Sequence, residues 1–213
     1  MSFRIAIDGT FASGKGTLAK RLAAHYGLPH LDTGKIYRAT ALAVLEAGGD
    51  PEVEADGVAG VKAADFSRLD DPRLVGNTIA NAASKVSVHP AVRKALLEMQ
   101  RQFATDNPKG GAVLDGRDIG TVILPDAEVK LFVDADAKVR AKRRYAELSA
   151  RGDEVTEAEI LRSLEERDAR DRNRAIAPLK PAVDAHLLDT TDLSIDRAFE
   201  RARDIVEAAR AVL

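Results

Sequence analysis

The chain of 213 residues contains no cysteine and no tryptophan, so disulfides and thiolate metal sites are excluded. Aromatic residues make up only 4%, which leaves few platforms on which the bases of a single nucleic-acid strand could stack. Charge of one sign is also missing: 32 Lys and Arg against 34 Asp and Glu give a net −2, without the basic excess that polynucleotide binding needs. Nowhere do 18 apolar residues run together, and "MSFRIAID" enters a strand pattern at once, so neither a membrane span nor an export signal is expected. His25, His30, His89 and His186 are scattered without ligand spacing, and no metal site is expected from side chains. These absences together point to a cytoplasmic protein without polynucleotide or membrane partners. The 45% of hydrophobic residues is enough for one good core, and a single domain over residues 1–213 is expected.

What is present alternates. Short, uniformly apolar runs stand at 3–8, 28–32, 112–116, 129–135 and 185–190, as strands do when both faces of a parallel sheet are covered. Amphipathic stretches at 15–26, 35–47, 90–105, 137–149, 156–173 and 194–212 separate them. This order predicts a doubly wound α/β fold around a parallel sheet of five strands. Two segments interrupt it. Residues 49–76, with "GGDPE" and "DDPR", read as an irregular insert; residues 150–180 open a new helix at Thr156, where Glu159 gives capping-box spacing.

The stretch "IDGTFASGKGTLAK" has a strand ending at Asp8, then Gly9-Thr10-Phe11-Ala12-Ser13-Gly14-Lys15, then a helix from Gly16 and Thr17. That is the strand, G-x-x-x-x-G-K, helix order of a phosphate-binding loop, in which bare backbone N–H groups, a helix N-terminus and one lysine surround an anion. A plain glycine-rich turn is the bland alternative. Gly16 stands where a Ser or Thr hydroxyl ordinarily holds Mg²⁺, so magnesium is expected to be held mainly by phosphates and water.

Further on, "LDTGKIYR" brings Asp32 and Thr33 to a helix start, where they can act as plain caps, with Arg38 one turn inside. "LDGRD" places Asp115, Arg117 and Asp118 past a strand's carboxyl end, the usual ligand edge of open α/β sheets, although an acidic turn would read the same. In "ERDARDRNRAIAPLKP", Arg167, Arg170, Asp171 and Arg174 fall at i, i+3, i+4 and i+7 of a helix. A solvated face is one reading; the other is an anion site, because the like charges repel one another. Arg140, Arg143 and Arg144 on the preceding helix extend this into an arginine-bearing lid.

Together "IAIDGTFASGKGTLAKRLA", "LDTGKIYRATAL", "ANAASKVSVHPAVRKAL", "LDGRDIGTVILPDAEVKLFVDA", "RAKRRYAEL", "ERDARDRNRAIAPLKPA" and "LDTTDLSID" resemble the bacterial cytidylate kinases over essentially the whole chain. The resemblance implies a P-loop nucleoside monophosphate kinase fold. It also implies transfer of the ATP γ-phosphate to CMP or dCMP with Mg²⁺, with UMP a poorer acceptor. It puts Lys15 and the loop Gly9 to Thr17 on ATP, Thr33 and Arg38 in the acceptor site, and Ser84, Arg93 and Asp118 on cytosine. It puts Arg117, Arg167 and Arg174 on phosphates and Asp171 on the ribose hydroxyls. The chain departs from the family at Thr10, where proline is common, and at Ala12, where glycine is. A kinase for another monophosphate, UMP or AMP, and a nucleotide switch are the alternatives. The N-K-x-D and D-x-x-G motifs of guanine-nucleotide switches do not occur. No apolar helix face demands a partner, so a monomer is expected.

Overall fold

The computed structural model describes residues 3–212. Its five strands, β1 (Phe3–Gly9), β2 (His30–Asp32), β3 (Gly111–Gly116), β4 (Val129–Asp134) and β5 (His186–Asp189), form one sheet in the order β2-β3-β1-β4-β5. β1 runs parallel to β3 and β4, with Ile5 beside both Val113 and Val129, and β4 runs parallel to β5. β1 and β3 are central and covered on both faces, which is why their sequences do not alternate.

Contacts divide the chain into two compact units, residues 1–31 with 104–213 and residues 32–103. In the first, α1 (Lys15–Tyr26) and α8 (Ile195–Arg210) pack on the sheet. Leu18 and Leu22 of α1 and Ala198, Ala202 and Val206 of α8, spaced four apart, are buried. Leu18, Leu22, Ala202 and Val206 join Ile5, Ile7, Val113, Leu131 and Val133 in the main core, each large side chain contributing about 1.5–3 kcal/mol by leaving water. A smaller core lies where α6 (Ala137–Ser149) meets α7 (Glu157–Asn173), formed by Ala141, Leu148, Ile160 and Leu164. The capping box of α7 is present: Thr156 Oγ1 accepts from the Glu159 N–H, and the Glu159 carboxylate accepts from the Thr156 N–H at 2.9 Å.

The second unit contains α2 (Thr33–Glu46), α3 (Glu54–Ala63), a 3₁₀ turn (Pro72–Leu74), α4 (Asn77–Val86) and most of α5 (Pro90–Thr105). Here the structure corrects the sequence reading. The supposedly irregular 49–76 holds the ten-residue helix α3, and α4 follows it directly. Gly57 and Gly60 weaken the helical signal of α3 but are needed for packing. A Cβ on Gly60 would stand 2.5 Å from Val44 Cγ2 of α2 and 2.8 Å from the Thr40 carbonyl oxygen. Asp32 occupies the N-cap of α2, but its side chain makes no capping hydrogen bond.

Candidate active site

The loop between β1 and α1 is shaped by its backbone. Gly9 has φ 153°, and a Cβ there would lie 1.9 Å from the Val133 carbonyl oxygen, so no other residue fits against β4. Gly14, at φ 88°, is the N-cap of α1, whose first turn carries no acidic side chain to cancel its positive end. Ala12 takes φ 60°, the left-handed region that glycine enters without penalty. Thr10 donates its hydroxyl to Asp134 at 2.6 Å, fastening the loop to the end of β4. Ser13 Oγ and Lys15 Nζ both donate to the Thr10 carbonyl, at 3.0 and 3.2 Å, and Lys15 is buried. Thr190, after β5, donates to the Ser13 carbonyl at 3.0 Å. Gly16 leaves Asp115 Oδ2 3.7 Å from where a Cβ would stand, and Asp115 Oδ1 lies 2.7 Å from His30 Nε2.

β3 delivers Arg117 and Asp118 into a π-helical turn (Ile119–Ile123) capped by Asp118, an irregularity often found at functional sites. Asp8 holds this turn to β1, its carboxylate accepting from the Ile119 and Gly120 N–H groups at 2.7 and 2.8 Å. Burial pushes the Asp8 carboxyl up to about 7 against those two donors, with the nearby Asp118 charge adding to the rise. Sequence reading missed Asp8 as more than a strand end. Its signal was a carboxylate directly after the buried apolar run Ile5-Ala6-Ile7.

Arg117 Nε donates to Asp171 Oδ2 at 2.7 Å. Burial works against the Asp171 charge, but the fields of Arg117, Arg167 and Arg174 outweigh it and hold the carboxyl below its ordinary value. One buried carboxylate thus lies in the field of three guanidinium groups. The expected helical stripe is interrupted at its end: α7 stops at Asn173, and Arg174 is the C-cap residue, its Nη2 donating to the Ala177 carbonyl at 2.6 Å. Ala177 at φ 51° turns the chain back, so that the Leu179 N–H reaches the Asp171 carbonyl at 2.8 Å. Arg170, also on the stripe, is half-buried.

The arginines of α6 divide. Arg140 is almost fully enclosed and donates to the Ala135 carbonyl, the Phe11 carbonyl and, at 2.6 Å, Asp168 of α7. Arg143 donates to the carbonyls of Thr190, Thr191 and Leu193 after β5. Both guanidinium groups, expected from the sequence to serve as lid cations, therefore bond to the protein's own oxygens. Arg144 lies with its guanidinium carbon 5.7 Å from the centre of the Phe11 ring, and Arg167 lies 4.1 Å from the same ring.

In the second unit, Ser84 on α4 and Arg93 on α5 are buried polar residues joined through Ser87. Ser87 Oγ donates to the Ser84 carbonyl at 2.9 Å, and Arg93 Nη1 donates to the Ser87 carbonyl at 3.2 Å. Arg93 also stands 5.7 Å over the Tyr37 ring. Thr33 is buried at the start of α2, and Arg38, one turn on, donates to the Leu74 carbonyl at 2.9 Å.

Among the described residues no group of three or more His, Asp and Glu is placed to hold a metal, and no helix is long and apolar enough to cross a membrane. Comparison with known proteins gives a consistent result. The chain is 58% identical to a cytidylate kinase of Nitrobacter winogradskyi over 97% of its own length and 96% of that protein's. It is equally identical to a cytidylate kinase of Afipia carboxidovorans, covering 97% and 98%. A solved structure of an uncharacterised protein from Eubacterium ventriosum shares the fold at 18% identity, with a TM-score of 0.52 over 97% of this chain and 99% of that one. The cytidylate kinase family model matches residues 5–208, and with these relatives it shows that the chain belongs to the cytidylate kinase family.

Proposed function

We infer that the chain transfers the γ-phosphoryl group of ATP to CMP or dCMP, giving ADP and CDP or dCDP. Family membership supports the reaction, and the observation that carries its chemistry is the buried Asp171 with three arginines about it. Two anionic nucleotides must be held together, and unit charges 4 Å apart repel by about 4 kcal/mol at an effective dielectric near 20. The positive field of Arg117, Arg167 and Arg174 answers that repulsion. Planar guanidinium forks suit phosphate oxygens, and an anionic acceptor oxygen needs no general base.

The roles follow from this reading. The N–H groups from Gly9 to Thr17 cradle the ATP phosphates, and Lys15 leaves the Thr10 carbonyl for a β- or γ-phosphate oxygen. Arg38 takes the acceptor phosphate and Thr33 supports it. Ser84, Arg93 and Asp118 address cytosine, and Asp171 accepts from the ribose hydroxyls. The lid is the region about 150–180. Arg167 and Arg174 act in it, Arg144, paired with Glu147 on α6, stands beside it, and Arg140 and Arg143 anchor its root through the bonds they already make. Magnesium, which would offset phosphate charge, fits a site without a protein hydroxyl: Gly16 keeps the first turn of α1 open, and Asp115 is the carboxylate at hand for a metal-bound water. Residues 1–213 act as one catalytic chain, as a monomer in the cytoplasm.

A coupled assay with ATP and magnesium against CMP, dCMP, UMP and AMP tests the reading. Rapid ADP formation is expected with CMP and dCMP, slow formation with UMP, and none without an acceptor. A folded protein that forms no CDP from CMP overturns it, and equal turnover of UMP or AMP transfers it to another monophosphate.

A further inference from the structure

Phe11 is the one large side chain in the loop between Gly9 and Gly14, a place where backbone does most of the work. Its surroundings connect the loop to both lid helices. The ring packs with Ala12 against the small core of Ala141, Leu148, Ile160 and Leu164. The guanidinium carbon of Arg167 lies 4.1 Å from the ring centre and that of Arg144 lies 5.7 Å away. The Phe11 carbonyl accepts from Arg140 at 3.0 Å, and Arg140 also binds Asp168, the residue after Arg167. A single loop residue is thus in touch with three arginines from two helices. The negative face of an aromatic ring attracts a guanidinium and orients its plane without consuming the N–H donors that point outward from the plane's edge.

We propose that Phe11 is a positioning residue for phosphoryl transfer: its ring holds the Arg167 guanidinium at the phosphate loop, aligned for the oxygens of the transferring group. The proposal rests on the CMP kinase reading. Arg167 acts on charge that is redistributed in the transition state, so loss of its alignment lowers kcat more than it raises KM for either nucleotide. A Phe at this position ties the Arg167 guanidinium to the loop before substrate arrives, a contact that a small residue would not supply.

The test compares F11L, which keeps apolar packing against the small core and removes the ring face, with F11Y, which keeps the ring. F11L is expected to lose about three- to tenfold in kcat, with KM for ATP and CMP within about twofold of the parent and F11Y restoring the rate. In an R167A background, F11L is expected to have no further effect, because the contact is already gone. Without substrate, the Arg167 side-chain protons of the parent are expected to show an upfield ring-current shift in NMR spectra that vanishes in F11L. Full kcat in F11L, an equal loss in F11L and F11Y, or the same fold-loss with and without Arg167 overturns the proposal. Absence of the ring-current shift in the parent also overturns it. A parent protein that shows the shift but leaves CMP unphosphorylated refutes the acceptor reading instead, and the assigned role of Phe11 falls with it.

Discussion

The loop after β1 and the end of α7 are both suited to phosphate, and they reach that state by opposite means. In the loop, main-chain shape comes first: the Val133 carbonyl fixes Gly9, Gly14 turns the chain into α1, and the side chains of Thr10 and Ser13 tie the loop to itself and to β4. At the end of α7 the backbone matters less. There, side-chain charges are held close against their mutual repulsion by one buried carboxylate and one aromatic ring. The first arrangement is set mainly by sterics. The second is electrostatic, so it can be loosened by removing a single charge, and under the proposed function an anionic ligand completes it.

The largest way to separate these two modes is Gly9→Ala. Its methyl group would overlap the Val133 carbonyl at 1.9 Å, and we expect a loss of at least about 4 kcal/mol in stability together with loss of ATP binding, read by thermal unfolding and calorimetry. Next is Asp171→Asn, which leaves three guanidinium groups facing a neutral amide. A loss of about 2–3 kcal/mol is expected near neutral pH, partly recovered by added phosphate or sulfate, whereas no anion should rescue Gly9→Ala. The pH dependence has a definite sign. Because the folded-state carboxyl lies below its unfolded value of 3.8, its contribution is present above about pH 4 and is lost as pH falls through the folded value. The gap between the parent and Asp171→Asn should therefore close in acid; a gap that persisted would show that the charge of Asp171 is not what holds the arginines.

Two smaller effects sharpen the contrast. Asp118→Asn replaces a carboxylate that can accept from the cytosine amine with an amide, and the CMP-to-UMP ratio of kcat/KM should fall by about tenfold, equivalent to 1.4 kcal/mol, with ATP binding unaltered. Ala12→Gly should relieve the left-handed φ of 60° and stabilise the protein by about 0.5–1 kcal/mol, a rise of a few degrees in Tm. A fall in Tm would mean that the Ala12 methyl packed against the α6 and α7 core matters more than the strain.

The same contrast explains what could be read from the sequence. The loop and the five strands follow from local rules, glycine spacing and uniform apolar runs, and the strand positions observed differ by only a residue or two from those expected. α3 was hidden because Gly57 and Gly60 lower helix propensity, and their reason, close approach of α2 and α5, is tertiary. α4 was missed although Ile79, Ala80, Ala83 and Val86 form a clear buried face at helical spacing: the helix is only ten residues long and begins where the insert ends. Among the arginines, a sequence shows charge but not what each cation bonds. Arg140 and Arg144 look alike in "RAKRRYAEL", yet one is enclosed by the Ala135 and Phe11 carbonyls and Asp168 while the other pairs with Glu147 beside an aromatic ring. Pro178 marks in the sequence that α7 must stop before it, but that Arg174 caps the helix and bonds the Ala177 carbonyl rather than extending the stripe is set by the left-handed turn at Ala177.

The sheet ends on β2, three residues long, and β5, four residues long. An outermost strand exposes a row of unsatisfied peptide groups that another chain can extend by pairing, and the hazard grows with its length. Here the three longer strands, with buried apolar runs at 5–7, 112–114 and 131–133, are interior and the boundary strands are brief, so a newly made copy offers little template for fibril-like growth. Such an architecture keeps the open rims of the sheet short, and the polar side chains of Asp32, His186 and Asp189 stand along them.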